Sequence, residues 1–347
     1  MHKDGKIVET DCSDYVLNDG VRVIRREYKQ YHLPKITSVL SDLDVLPLLN
    51  ELRPDFIFYH GLISYTIKDV VKYVKKHPQC KIVEDNHMDY NIGNKSNTLK
   101  EQIVRAWRCW LNRTTVPYVE KVYGVTPWRK TYAEDYFKIP ADKTDVLIMG
   151  ADDEKVNLVQ KGEARKQIRD RYHVSDKDFL IVTGGKIDKK KGIDVLTEAC
   201  ANLDSRVKLL IFGCILDDVK EKMEALISRC DNIIYIGWID SESVYDYFFA
   251  ADLVFFPGQH SVLWEQACAS KVPCVFEHWD GMDHVDNGGN SDFIENVTVK
   301  TIEEKIQELI FTDKYYRMKT VAESESTDIY MYSKIAEKSL ECACVQK

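Results

Sequence analysis

No pair among the ten cysteines has CxxC spacing. They are scattered from Cys12 to Cys344, and the closest pair, Cys342 and Cys344, lies at the end of the sequence. Such usage argues against a disulfide framework and the common zinc motifs, and points to a reducing compartment where cysteine serves as a small apolar residue. A surplus of positive charge is also missing: 48 Lys and Arg stand against 56 Asp and Glu, a formal charge of −8. Without cations to spare for phosphates, nucleic acid is not the expected partner. No basic-then-apolar leader is visible. The longest unbroken apolar run, residues 209–216, includes a glycine and falls far short of a membrane helix. The expectation is a chain with no secretory signal and no membrane span. Internal repeats and low-complexity tracts are absent too.

What is present is 347 residues, 44% apolar and 30% charged, enough for two domains at roughly 150 residues each. Short β-rich runs recur at 21–28, 56–61, 81–87, 121–126, 146–150, 179–185, 207–213, 233–239, 253–258 and 273–278. Several are almost continuously apolar, as in strands covered on both faces. Helical spacing separates them, over 65–76, 101–116, 193–203, 217–229, 243–251 and 262–270. Strand and helix in alternation predict an α/β protein with parallel sheets and right-handed crossovers. A boundary is expected at Met149-Gly150-Ala151-Asp152-Asp153, where a strand ends on glycine and a polar stretch begins. The predicted division is 1–150, 151–325 and a terminal helix over 326–347. That helix carries Ile329, Tyr332, Ile335 and Leu340 on one broad face and is expected to return to the first domain.

Ligands of open parallel sheets bind beyond the carboxyl ends of the strands, and the unusual residues collect there. His60-Gly61, Asn86-His87-Met88-Asp89 and Thr126 follow strands of the first half. Gly184-Gly185-Lys186, Gly213, Gly237-Trp238 and Pro257-Gly258-Gln259-His260-Ser261 follow strands of the second. In Gly185-Lys186-Ile187-Asp188-Lys189-Lys190-Lys191-Gly192 the glycines permit close backbone approach, and Lys186 and Lys191 offer charge for a diphosphate. The loop matches neither GxxxxGK[ST] nor GxGxxG, and taken by itself a solvated lysine run is the simpler explanation. Ser261 reads as an N-cap, leaving Val262 and Leu263 to present N–H groups to an anion. Glu265, one turn on, is placed for a ribose diol, or merely favours the helix dipole.

At these two stretches the chain resembles the retaining GT-B glycosyltransferases of the family-4 type (glycosyl transferases group 1). Gly185-Lys186 through Lys191-Gly192 resembles their G-R-x4-K-G loop, with lysine for arginine. Phe256-Pro257 through Glu265-Gln266-Ala267 resembles their proline-led loop entering an E-x7-E helix. Pro54-Asp55-Phe56-Ile57-Phe58-Tyr59-His60 is similar to the family's PD-apolar-histidine strand. His87 and Thr126 fall where the family has a histidine and a small hydroxyl residue. The resemblance implies two Rossmann-like domains, their parallel sheets facing across a cleft, and transfer of a sugar from a nucleoside-diphosphate sugar to an acceptor hydroxyl with retention. It is a hexosyltransferase type of activity, in surface polysaccharide or glycoconjugate synthesis. Implied roles are catalysis or sugar orientation for His60 and His87. Gly185, Lys186, Lys191, Ser261 and Val262 would bind the donor diphosphate, and Glu265 the ribose. No metal or cofactor is expected, and the His278–His284 stretch reads as a polar loop.

Two departures from the family stand out. The loop before Glu265 is about four residues short and position 257 is Pro where the first glutamate of E-x7-E belongs, so the expectation is either that Gln259 or His260 takes over its contact with the donor sugar or that the contact is lost. The sequence also opens on a stretch resembling the part after the first strand, helix and strand of the family's N-terminal domain, a unit of roughly 30 residues. The first domain is therefore expected to be truncated at its start. An alternative follows from both: a GT-B remnant that binds a sugar nucleotide without transfer. A sugar-nucleotide epimerase is disfavoured for want of acid–base pairs. Expected partners are a nucleotide-sugar donor and a glycan or lipid-linked acceptor, with the protein cytoplasmic. Residues 101–116 set Ile103, Trp107, Trp110 and Leu111 against Arg105, Arg108 and Arg113. This suits either a peripheral helix on the inner face of a membrane or an ordinary core-packed helix.

Overall fold

Two parallel sheets organise the chain. The computed structural model describes residues 2–3, 6–7, 11–31, 40–93, 98–156 and 158–344. It separates into two units: residues 1–125 and 129–146 with the chain end from Glu341, and residues 126–128 with 147–340.

In the first unit, strands Phe56–His60, Lys81–Asn86, Lys121–Gly124 and Thr144–Val146 pair side by side in chain order, all parallel. Helix Ile67–Val74 forms because Ile67, Val70, Val71 and Val74 recur at i, i+3, i+4 and i+7. That face is buried with Ile82, Leu111, Tyr132 and Phe137. At roughly 1.5–3 kcal/mol for each fully buried large apolar side chain, this cluster dominates the unit's stability. Helix Leu99–Thr115 starts at Thr98, whose hydroxyl accepts from Glu101 N–H. The strand expected over 21–28 is a correction. Arg22–Arg25 pairs antiparallel with Ser13–Val16 in a separate hairpin. Its turn is Asn18-Asp19-Gly20, with Gly20 at φ 86°, a conformation that favours glycine. Phe56–His60 is an edge strand among the described residues, and its Phe58 is 42% exposed.

The second unit has six parallel strands in the spatial order Ile233–Gly237, Val207–Ile215, Phe179–Ile187, Leu253–Phe256, Cys274–Glu277, Ser291–Ile294. In order of sequence this is 3-2-1-4-5-6, the doubly wound arrangement. Alternate residues of each strand supply opposite faces. Leu180, Val182, Leu210, Val254 and Phe256 enter one core, and Phe179, Ile181, Leu209, Leu253 and Phe255 the other. Both faces are therefore covered, which explains the nearly unbroken apolar strands. Helices form at Ile193–Asn202, Lys220–Arg229, Val244–Ala250 and Leu263–Ala269, close to their expected places.

The terminal helix is shorter than its expected span. Glu325–Tyr330 is a 3-10 turn, and the α-helix runs only from Tyr332 to Cys344. The break comes where Ala151 N–H donates to Tyr330 O at 2.8 Å and Tyr332 N–H to Ala151 O at 2.9 Å. That bridge takes the backbone groups a continuous helix would use. From Glu341 the helix belongs to the first unit, where Cys342 is hydrogen-bonded to Tyr123.

Candidate functional site

In the first unit the carboxyl ends of adjacent strands bring His60 and His87 together. Their ring centroids are 4.5 Å apart. The residue joining them, Asp85, was not anticipated. Its Oδ2 lies 2.9 Å from His60 Nδ1 and 3.1 Å from His87 Nε2. Its Oδ1 accepts from Gly61 N–H at 3.0 Å, which fixes the carboxylate plane. The sequence signal was the Asp-x-His spacing, since strand alternation sets residues two apart on one side. Burial alone would raise the Asp85 pKa, but the hydrogen bonds from both imidazoles, with their charge, hold it at about 2. The same bond raises the His60 pKa. The loop carrying His87 is shaped by buried Asn86, whose amide donates to Met88 O at 2.9 Å and to Arg129 O at 2.8 Å. Thr126 is fully buried.

In the second unit the strand order reverses between Phe179–Ile187 and Leu253–Phe256, which pair through Ile181–Leu253 and Val182–Val254. Their following loops meet at this switch point, where doubly wound sheets bind ligands. Gln259 N–H donates to Lys190 O at 2.9 Å, and Lys191 Nζ donates to Gln259 O at 2.5 Å and His260 O at 3.2 Å. Gly258 is required for this approach: a Cβ there would lie 2.4 Å from Lys190 O. Gly185 (φ 110°) and exposed Lys186 end the neighbouring strand.

Glu265 is wholly buried, not open to solvent as expected for a ribose ligand. Its Oε1 accepts from His260 Nε2 at 2.8 Å and from His284 Nε2 at 2.9 Å. Burial opposes its ionisation, yet the charge and hydrogen bond of His260, with those of His284, keep its pKa at about 2. Glu265 Oε2 and His284 Nδ1 are buried with no partner among the described residues. His284 thus belongs to the site, although its stretch of sequence read as an ordinary polar loop. Ser261 does not cap the helix through its side chain. Val262 already has helical dihedrals (φ −54°, ψ −20°), the helix is the seven residues Leu263–Ala269, and Ser261 contributes its carbonyl to Trp264 N–H. The anion-binding helix end expected at Ser261 and Val262 loses that support.

Each unit therefore holds one carboxylate oxygen between two imidazole nitrogens, with the three donor atoms within 4.8 Å of one another. Such a set can share protons, orient a hydroxyl, or accept a cation of the zinc class.

Residues 164–323 match the family model described as glycosyl transferases group 1. This segment is similar to the domains of that family. It contains Lys186, Lys191, His260, Glu265 and His284. Two curated proteins are similar in sequence. A 41.2 kDa protein in the cps region of Klebsiella pneumoniae is 26% identical over 153 residues, 38% of this chain and 41% of that one. A glycosyltransferase of Methanocaldococcus jannaschii is 23% identical over 250 residues, 68% of this chain and 61% of its own. The chain thus spans less than two thirds of either relative. Among solved structures, Anabaena HepE superposes with a TM-score of 0.65 at 19% identity, covering 90% of this chain and 83% of its own. Likeness at this depth shows the fold, that of the GT-B glycosyltransferases.

Proposed function

We propose that this protein transfers a sugar from a nucleoside-diphosphate sugar to an acceptor hydroxyl with retention of configuration. The observation that carries the reading is the meeting of the Lys191 and His260 loops at the switch point of a segment similar to the group 1 domains. Breaking the sugar–phosphate bond leaves charge on the departing diphosphate. Lys186 and Lys191, with the Gly185 backbone, stabilise that charge as it develops. Glu265, wholly buried between His260 and His284, holds those imidazoles in place, and a ribose hydroxyl would reach its Oε2 only if the site opens on binding. Gln259 takes the donor sugar in place of the family's first glutamate, with the buried His260 side chain bracing its loop against Glu265, and His60 and His87 orient hydroxyls from the first unit. HepE was solved with UDP and with UDP-glucose, which supports a nucleoside-diphosphate sugar as donor class. The cps-region relative supports a role in surface polysaccharide or glycoconjugate synthesis. A cytoplasmic protein acting on a glycan or lipid-linked acceptor fits that role.

The test is a thermal-shift screen of UDP- and GDP-sugars, followed by transfer and donor-hydrolysis assays on each hit. Saturating donor should stabilise by RT ln(1 + [L]/Kd), about 3 kcal/mol at a hundredfold excess over Kd. Binding without turnover for any acceptor would favour the remnant reading. No binding by any sugar nucleotide would sink both.

A further inference from the structure

We propose that the face of the first unit formed by helix Leu99–Thr115 binds the surface of an anionic phospholipid bilayer. This goes beyond sugar transfer and does not depend on it. The helix carries apolar residues on two sides. Leu111 is buried and Trp107 packs on the core, whereas Leu99, Ile103 and Trp110 are 73%, 62% and 50% exposed. Their spacing of four and seven residues puts these three on one outward ridge. Beside the ridge lies a pocket of about 720 Å³ walled by Trp110, Val116, Pro117 and Ile139, with Arg113, Lys138 and Lys143 on it.

Charge selects the occupant. The chain as a whole is at −8, yet this face gathers Lys100 and Arg113 of the helix with Lys138 and Lys143 of the pocket against Glu101 and Asp142, while Arg105 lies over the buried Tyr136 ring. Lys68 sits 4.7 Å over the Trp110 ring and Lys75 4.4 Å over Tyr118, adding cations beside exposed aromatic rings. An apolar ridge with an aromatic at its centre and a basic rim matches the boundary between acyl chains and anionic headgroups. Among the described residues no helix is long and apolar enough to cross a membrane, so binding lies in the surface plane. Position separates this face from the sugar site. Val116, Pro117 and residues 138–143 precede strands Lys121–Gly124 and Thr144–Val146, at the amino ends of the sheet whose carboxyl ends bear His60 and His87.

Flotation of the full chain tests this, with vesicles of phosphatidylcholine alone and of phosphatidylcholine and phosphatidylglycerol in equal parts. The protein should float only with the anionic vesicles at low salt and be released by high salt. Neutralising Arg113→Gln and Lys138→Gln should each weaken partitioning about fivefold, and Trp110→Ser should weaken it further. Lys300→Gln, at a side chain 82% exposed on the other unit, should change little. Melting curves establish that the variants fold. Failure to float at low salt overturns the proposal, as does equal binding to neutral vesicles or a Lys300→Gln loss matching that of Arg113→Gln.

Discussion

His260 holds Glu265 by a 2.8 Å bond with 2% and 0% of the two side chains exposed, so a full carboxylate charge sits inside the domain beside its imidazole. The folded pKa of about 2 lies below the unfolded value near 4.3. The ionised glutamate therefore contributes stability that is present above about pH 4 and is lost as pH falls towards 2. The scale is about 3 kcal/mol. Glu265→Gln should be less stable than the parent at neutral pH, with the difference shrinking on acidification. Urea unfolding between about pH 7 and pH 3 measures it. A difference that stays constant over that range would assign the loss to packing instead of charge.

Lys191→Ala should weaken nucleoside diphosphate binding by about ten- to a hundredfold, the loss of one charge-assisted contact worth roughly 1.5–3 kcal/mol. Because Lys191 also tethers the Gln259 and His260 carbonyls, part of the loss could come from the loop. Lys186→Ala separates the two, since Lys186 is exposed. Calorimetry with nucleoside diphosphate should show weakening in both variants. Parent-like binding by Lys186→Ala would remove that residue from the phosphate site.

The sheets of both units were legible because strands covered on two faces read as apolar runs, and because the glycines and histidines after them broke those runs sharply. Leu180 to Ile187 and Leu253 to Phe256 needed nothing beyond that pattern. The hairpin around Gly20 was missed because Arg22–Arg25 has strand composition, and composition does not name the partner strand. Asp85 and His284 were missed for another reason. A carboxylate acquires its role from neighbours distant in sequence: 25 residues separate Asp85 from His60, and 19 separate His284 from Glu265. Helix 101–116 offered two readings, and the structure divides its apolar residues between core and surface. Burial of Glu265 was invisible to a reading that saw only a first-turn acid.

Asp85→Asn should lower the His60 pKa, since the Asp85 hydrogen bond is the leading cause of its elevation. The Asp85 side chain itself is 7% exposed and its carboxyl pKa is held at about 2, so the variant should also lose stability above about pH 4, by an amount that fades as pH falls towards 2. Sugar transfer should fall by about a hundredfold or more if the imidazoles work as positioned groups, while nucleoside diphosphate binding by the second unit is retained. Proton NMR titration of the histidines and a transfer assay read the two effects. An unmoved His60 titration would show that the bond is not formed in solution.

On the proposed function, in which Lys186 and Lys191 serve the diphosphate in place of a cation, metal removal should leave transfer intact. Dialysis against a chelator, with metal analysis before and after, checks this. Activity lost with a stoichiometric ion and restored by that ion alone would make one of the two histidine–carboxylate sets a metal site.

Glu84 is the neighbour of Asp85 in strand Lys81–Asn86, and its environment has the opposite effect. Burial first, then the Asp85 charge, raises its pKa to about 8, and Oε1 has no partner among the described residues. At neutral pH the folded chain therefore holds a proton here that the unfolded chain, with a pKa near 4.3, has released. Stability on this account is greatest below about pH 4 and declines as pH rises towards 8, by at most about 1.4 kcal/mol per pH unit. Glu84→Gln keeps the shape and abolishes the titration. The variant should melt at or above the parent temperature near pH 7, with an advantage that grows between about pH 5 and pH 8 and then levels off. Melting curves across that range are the measurement. A variant less stable than the parent at every pH would mean that Glu84 is ionised and paired in the folded chain, and its carboxylate would then have to be counted with Asp85 in the charge of the His60–His87 site.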